Sequence, residues 1–121
     1  MAATIRKKKS RLIVKSGNEN IILPVTDIAL LYLEDRTVYV IDQFSKQYFF
    51  QKNLSELEDD LDKNIFFRAN RQVIVNIHFI KGYIVTECNK LRVALTLPCP
   101  APAIIISQET APFFKKWICE S

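Results

Sequence analysis

Residues 66–80, FFRANRQVIVNIHFI, place a compact polar segment between two apolar blocks. Phe66 and Phe67 precede the polar segment, and Val73 begins the run that returns the chain to a core. Arginine carries a planar fork of donors suited to guanine edges and phosphates, while asparagine and glutamine carry the amide that matches adenine. The segment therefore indicates either side chains aimed into a groove of nucleic acid or a polar turn between two strands, since turns collect the same residue types. The polar residues are Arg68, Asn70, Arg71 and Gln72.

The length and composition are those of one globular domain. A chain of 121 residues forms a modest single core, and 49% of these residues are hydrophobic. Prolines interrupt the longest apolar run, and the basic N-terminal residues lead into no apolar segment, so we expect neither a membrane span nor a signal peptide. The three cysteines lack paired spacing and are typical of reduced thiols in a cytoplasmic protein. They are Cys88, Cys99 and Cys119.

The positive charge is concentrated near the N-terminus. The chain has 17 basic and 13 acidic residues, and five of the basic residues lie within residues 6–11. Residues 56–62 carry five carboxylates, which a DNA-binding body has to turn away from phosphates. We assign residues 1–10 to a basic linker or expression remnant and residues 11–121 to one domain. The basic run is either a phosphate contact or a solvated tail.

Residues 11–50 show the pattern of short antiparallel strands. Runs of four to seven residues rich in Val, Ile, Tyr and Phe alternate with Asn, Asp and Ser, as in β-sheet proteins. Residues 34–36 are predicted to form a turn between two of these strands. The predicted strands begin at Leu12, Ile21, Ile28, Thr37 and Gln47.

One helix is predicted after these strands. Asn53 can cap it, with Glu56 three residues later. Leu54, Leu57 and Leu61 fall on one face at helical spacing and are expected in the core. The neighbouring carboxylates are predicted to cover the solvated face, although a metal or partner site is the functional alternative.

A hairpin and a further strand are predicted towards the C-terminus. Residues 82–86 and 91–97 are expected to pair across a turn at residues 87–90, because the second segment alternates apolar and polar residues. Residues 98–102, PCPAP, predict an extended connector, since proline fixes φ and removes a donor. Residues 104–106, III, predict the last strand.

The chain is predicted to end in a helix. Pro112 is tolerated in a first turn but not in a helix interior, so we expect the helix to begin near Thr110. Phe113, Phe114 and Trp117 are expected to form a core-facing aromatic stripe rather than a platform for stacking bases.

Residues 67–76, FRANRQVIVN, resemble the F-R-x-H/N-R-x-x-x-V-N signature of LytTR domains. These are DNA-binding output domains of bacterial response regulators of the LytR/AlgR family. The likeness extends from about Arg11 to Cys119. It includes a strand that opens at Asp27, the helix start at residues 53–58, and Ser107 followed by residues 114–118. It implies a mostly β fold, with antiparallel strands and small flanking helices, that binds double-stranded DNA and controls transcription.

The resemblance also implies which residues contact DNA. Base contacts are expected from Arg36, from Asn70 and Arg71, and from the segment that starts at Ser107. Gln108 stands where relatives often have arginine, so the target sequence or the affinity is expected to differ. Phosphate contacts are expected from Lys15, Arg68, Lys81 and the basic run at residues 6–11, although Arg68 is alternatively an internal structural arginine.

The implied partners are DNA and a second protein copy. The resemblance implies pairs bound to repeated sites and a fused receiver domain that this chain lacks, so we expect a weakly associating monomer in solution. No cofactor is implied. The alternative is a β-rich module that binds a protein or ligand without DNA; the near-neutral charge of the body and Gln108 favour it.

An enzyme is not expected from this sequence. It has no paired-carboxylate site, catalytic triad, glycine-rich phosphate loop or metal-ligand cluster. His78 is the only histidine and is expected to be a surface or hydrogen-bonded residue.

Overall fold

A computed structural model of the chain describes residues 8–98 and 103–120. Within them the chain forms ten strands, two α-helices and three short 3-10 turns. The strands are β1 (Arg11–Ser16), β2 (Glu19–Pro24), β3 (Ile28–Glu34), β4 (Thr37–Asp42), β5 (Gln47–Phe50), β6 (Phe66–Asn70), β7 (Val73–Asn76), β8 (Ile80–Val85), β9 (Leu91–Leu95) and β10 (Ile104–Ile106). The helices are α1 (Leu54–Asp60) and α2 (Ala111–Glu120).

The strands form two sheets in which every registered pair is antiparallel. Seven strands pair in the order β2-β1-β5-β4-β3-β7-β6, and three pair in the order β10-β9-β8. The predicted antiparallel, mostly β fold with a mid-chain helix and a C-terminal helix is therefore confirmed.

Two-residue turns close two hairpins of the large sheet. Asp35 and Arg36 join β3 to β4 with φ of 50° and 65°, the left-handed geometry that so short a hairpin turn requires. Residues 71–72 join β6 to β7, because Asn70 is registered opposite Val73. Each turn therefore projects its side chains beyond the end of the sheet.

The two faces of the large sheet bury different partners. On one face α1 contributes Leu57 to a cluster that includes Leu31. On the other face the three-stranded sheet and α2 contribute Ile106 and Phe114 to a cluster that includes Val75. The large sheet thus lies between two small cores.

The predicted start of α1 is confirmed in detail. The Oδ1 atom of Asn53 accepts a hydrogen bond from the backbone N–H of Glu56 over 2.8 Å. This bond satisfies one of the free amide groups of the first helical turn. The three leucines expected in the core, Leu54, Leu57 and Leu61, are all buried.

The sequence predicted that the carboxylates of α1 cover its solvated face, and this prediction was wrong for one of them. Asp60 is only 5% exposed, and its backbone carbonyl accepts a hydrogen bond from the N–H of Lys9. The Nζ atom of Lys9 lies 3.7 Å from Oδ2 of Asp60. Asp60 is buried because the chain before β1 packs beside the end of the helix.

The residues just before β1 belong to this packing. The carbonyl of Ser10 accepts a hydrogen bond from the N–H of Val25 over 3.0 Å. Lys8 donates through Nζ to the carbonyl of Asp59 over 3.0 Å. Residues 1–7 lie outside the described residues, and the tail boundary at residue 10 stays a prediction.

The predicted C-terminal hairpin and last strand are confirmed. Val85 in β8 and Ile106 in β10 are both registered opposite Leu91 in β9. Of the predicted connector at residues 98–102, residues 99–102 lie outside the described residues.

The predicted start of the last helix is also confirmed. The first helical residue is Ala111, so Pro112 occupies the first turn. The N–H of Phe114 donates to the carbonyl of Thr110 over 3.1 Å, which is a bond of the helical pattern. Proline is compatible with this position because amide groups in the first turn have no helical acceptor.

The expectation that the aromatic stripe of α2 faces the core was wrong for one residue. Phe114 is buried and contacts the rings of Phe67 and Tyr83 in edge-on geometry, with centroids 5.5 and 5.6 Å away. Phe113 is 68% exposed. Adjacent residues on a helix point about 100° apart, and Phe113 points away from the side of α2 on which Phe114 is buried.

We expect Phe114→Ala to lower the free energy of unfolding by about 3–5 kcal/mol, because it empties a buried aromatic site. The matched change Phe113→Ala is expected to alter it by less than about 0.5 kcal/mol, because that ring is largely exposed. Urea unfolding followed by tryptophan fluorescence measures both. Equal losses would contradict the assigned core.

Candidate nucleic-acid interface

Two polar turns lie side by side at one end of the large sheet. β3 pairs with β7 so that Tyr32 is opposite Val73. The N–H of Leu33 donates to the carbonyl of Gln72 over 2.7 Å, which extends this pairing into the second turn. The β3–β4 turn and the β6–β7 turn therefore share one edge, which we call the reading edge. It carries the exposed side chains of Arg36 and Arg71.

Asn70 connects this edge to the three-stranded sheet. Its Nδ2 atom donates to the carbonyl of Ile105 over 2.9 Å. Its Oδ1 atom accepts from the N–H of Gln72 over 2.7 Å. Both ends of the Asn70 amide are therefore used within the protein, where they fix the β6–β7 turn against β10.

The segment before α2 joins the same edge as a third turn. Ser107 follows β10 directly, and its Oγ atom lies 3.1 Å from Oγ1 of Thr110. The N–H groups of Thr110 and Ala111 both donate to the carbonyl of Ser107. These bonds close the turn and leave the side chain of Gln108 exposed.

Arg68 holds the β6–β7 turn from inside. Its Nε atom donates to the carbonyl of Asn70 over 2.7 Å, and Nη2 donates to the carbonyl of Arg71 over 2.6 Å. Its Nη1 atom lies 3.0 Å from a carboxylate oxygen of Glu58 in α1. The side chain is only 21% exposed. This geometry agrees with the structural alternative for Arg68 rather than with a free phosphate contact.

Two lysines that the sequence did not single out also lie at the reading edge. Lys90 precedes Leu91, which is registered opposite Ile106, so Lys90 lies beside the turn that begins at Ser107. Lys52 follows β5 and helps line a groove of about 410 Å³ together with Arg11. No motif marks either lysine, because each is a single cation at a strand end and only the pairing of strands brings it to the edge.

Two predicted phosphate contacts lie away from the turns. Lys15 in β1 is registered opposite Phe49 in β5, and Phe49 is registered opposite Tyr39 in β4. Lys15 therefore lies within the sheet and not beside the β3–β4 turn. Lys81 lies near the start of β8, while the other end of that strand, at Val85, approaches the reading edge. The structure therefore gathers three of the predicted contact regions. Lys81 lies apart from them, whereas Lys15 lines the same groove as Arg11 and Lys52.

The charge of the reading edge is mixed. The carboxylates of α1 lie on a sheet face, and Glu58 among them is paired with Arg68. The edge itself carries both signs, so individual side chains matter more there than a broad positive field. Its basic residues are Arg11, Arg36, Lys52, Arg71 and Lys90, and its acidic residues are Glu34, Asp35, Glu87 and Glu109.

One clear pKa shift lies at the opposite end of the large sheet. Burial raises the pKa of Tyr48 above its ordinary value of 10.0, and the hydrogen bond and charge of Asp42 add to the increase. Asp42 also accepts hydrogen bonds from the N–H groups of Phe44 and Lys46, so the pair closes the β4–β5 turn. This is a structural role.

Neither a metal cluster nor a membrane helix is found in residues 8–98 and 103–120. No group of three His, Cys, Asp or Glu side chains there is arranged to hold a metal ion, and His78 is exposed. The two helices in that part of the chain are too short to span a membrane.

Comparison with known proteins agrees with this architecture. The family model described as the LytTr DNA-binding domain matches residues 18–118. The chain therefore belongs to the LytTR family of DNA-binding domains. A search of curated proteins found no match. Among solved structures, the LytTr DNA-binding domain of a methyl-accepting/DNA response regulator from Bacillus cereus is similar, with a TM-score of 0.79 and 24% identity. The alignment covers 91% of this chain and 97% of that chain.

We expect Asn70→Asp to lower the free energy of unfolding by about 1–3 kcal/mol. The carboxylate keeps an acceptor for the N–H of Gln72 but sets an oxygen against the carbonyl of Ile105, where a donor stood. Amide hydrogen exchange should become faster at Gln72 and at Leu33. The control is Asn20→Asp on the exposed surface of β2, and a similar effect of both changes would contradict the assigned role of Asn70.

Proposed function

We propose that this chain is the sequence-specific, double-stranded DNA-binding output domain of a bacterial two-component response regulator and that it controls transcription. The observation that carries the proposal is the meeting of three polar turns at the reading edge, each with an exposed donor side chain. Membership of the LytTR family supports it. Arg36, Arg71 and Gln108 are the three donors.

The three exposed donors differ in what they can read. Arg36 and Arg71 each carry a guanidinium fork that can donate two hydrogen bonds to one guanine in the major groove. Gln108 carries an amide that can pair with the edge of adenine. The domain therefore prefers sites that contain guanines together with an adenine, in an order set by the spacing of the turns.

Asn70, Arg68 and Ser107 act in this proposal by positioning the readers. The amide of Asn70 is occupied by two internal hydrogen bonds, which a base contact would have to break. Arg68 fixes the carbonyl groups of the turn that carries Arg71. Ser107 closes the turn that carries Gln108.

Phosphate contacts come from cations that flank the readers. Lys52 and Arg11 lie on the β5 side of the reading edge, and Lys90 lies on the side of the three-stranded sheet. Such contacts fix the position of the protein on the duplex and supply much of its affinity. Lys81 adds to the field at longer range, and the expected contribution of Arg6 and Lys7 lies outside the described residues.

The wider setting of this domain is also proposed. Residues 1–10 link the domain to a receiver, whose phosphorylation promotes pairing on repeated sites. The protein works in the cytoplasm, where bacterial DNA lies. Neither a cofactor nor catalysis is needed, because readout consists of hydrogen bonds and charge contacts.

Binding to a pool of random duplexes at two salt concentrations tests this function. Sequencing of the bound fraction should reveal a short repeated motif, and binding should weaken as salt rises because counterions are released from the duplex. Salt-sensitive binding without a motif would contradict sequence-specific readout. Absence of binding at either salt concentration would favour a β-rich module that binds a protein or ligand.

We expect Arg71→Ala to weaken binding to the selected motif by about 1–3 kcal/mol and to change binding to random duplex much less, because the guanidinium reads a base. Lys90→Ala should weaken both kinds of binding similarly and lower the salt slope by about one. Fluorescence anisotropy titrations at several salt concentrations measure both. Equal losses of Arg71→Ala on the two duplexes would exclude a reading role.

A further inference from the structure

β8 is an open edge strand of the three-stranded sheet. In the part of the chain that the structure describes, its six residues pair only with β9, so its other side carries unpaired backbone groups. Tyr83, Ile84 and Val85 are 39%, 52% and 58% exposed along this strand. Lys81 is its one charged residue. Proteins usually protect such edges with charge, proline or a covering segment, and this strand has little of that protection.

Other edge strands in the described residues are protected. β2 begins at Glu19 and ends at Pro24, which has no N–H to donate. β6 is approached by β10 through the hydrogen bond between Asn70 and Ile105. The apolar edge at β8 is therefore distinct in both composition and exposure.

We propose that β8 pairs antiparallel with β8 of a second copy of this chain across a twofold axis. A twofold axis perpendicular to β8 places the two copies of the strand antiparallel. Each contact between two different residues is then made twice, once from each copy. With the axis at Ile84, Tyr83 lies opposite Val85 of the second copy. Lys81 then lies opposite Glu87, which is two residues beyond the end of β8 and begins the 3-10 turn that follows, so two pairs of opposite charge flank the apolar centre.

The chemistry of the edge favours a second copy over other partners. One lysine in six residues provides little attraction for phosphates or for an acidic peptide, whereas the apolar side chains and unpaired backbone match an identical strand. The exposed parts of three side chains bury less than the roughly 1,200–2,000 Å² of a stable interface. The dimer is therefore weak and forms at high protein concentration.

The direction of β8 determines what this dimer can do. The strand runs towards the reading edge, because Val85 is opposite Leu91 and Leu91 is opposite Ile106, beside Ser107. In an antiparallel pair the two reading edges point in opposite directions. Such a dimer holds one duplex segment at each end, so this contact is separate from the receiver-promoted pairing on repeated sites, and the consequence rests on the proposed DNA-binding function.

Self-association of the full chain without DNA tests the interface. Sedimentation equilibrium from low micromolar to near-millimolar concentration should show a weak monomer–dimer equilibrium. Ile84→Lys should lower the association constant by about tenfold or more, because it places a charge on the twofold axis. The matched control Ile13→Lys, at a position 63% exposed on the inner strand β1, should leave the constant unchanged. A monomer at all concentrations, or equal effects of the two changes, would overturn the proposal.

Charge exchange tests the register. Lys81→Glu should weaken the dimer, and addition of Glu87→Lys in the same chain should restore it, because the opposite charges face each other again. Failure of the second change to restore association would overturn this register.

Two duplexes with different fluorescent labels test the bridging consequence. The natural chain should capture both duplexes together, whereas Ile84→Lys should bind each duplex without joining them. Absence of binding to either duplex would contradict the proposed function and the bridging, while the association measured without DNA would still decide the interface.

Discussion

The guanidinium of Arg68 is the group on which the reading edge depends. It donates to the carbonyl groups of Asn70 and Arg71, which lie at the start of the tight two-residue turn between β6 and β7. Its third contact, to Glu58, ties the turn to α1 on the face of the large sheet. Hydrogen bonds to a charged group contribute more than neutral ones, about 1.5–3 kcal/mol each. A partly buried arginine therefore helps to orient an exposed one, because one of the carbonyl groups that Arg68 binds belongs to Arg71.

The two small cores explain why the strand ends are free to carry function. α1 covers one face of the large sheet, and the second sheet with α2 covers part of the other. The apolar side chains of the large sheet are therefore buried on its two faces. The turns at the end of the sheet contribute little to either core and can hold polar side chains without a loss of packing. Loops placed on a rigid scaffold in this way are common sites of binding. The hydrogen bond from Asn70 to the carbonyl of Ile105 joins the two sheets at this same end. One bond therefore stabilises both the fold and the reading edge.

Much of the fold was predictable because its signals are local. The cap at Asn53, the leucine spacing of α1 and the constraint that Pro112 places on α2 each depend on a few neighbouring residues. The errors occurred where burial depends on distant chain segments. Asp60 is buried because the chain before β1 packs beside it, and Phe113 is exposed because the core contacts only one side of α2. Helical spacing gives the relative directions of the side chains, but it does not give the width of the helix face that the rest of the protein covers.

Residue patterns were enough to predict the class of fold, most element boundaries and, through the likeness of residues 67–76 to a family signature, the candidate readers. The folded chain was needed to show which turns meet, that Arg68 and Asn70 bond within the protein, and that Lys52 and Lys90 lie beside the readers. The physical reason is that helix caps and β alternation depend on neighbours within a few residues. Strand order instead depends on pairing between segments far apart in the chain, as between β3 and β7. A lysine at a strand end therefore has no local sequence pattern that predicts its neighbours in the folded protein.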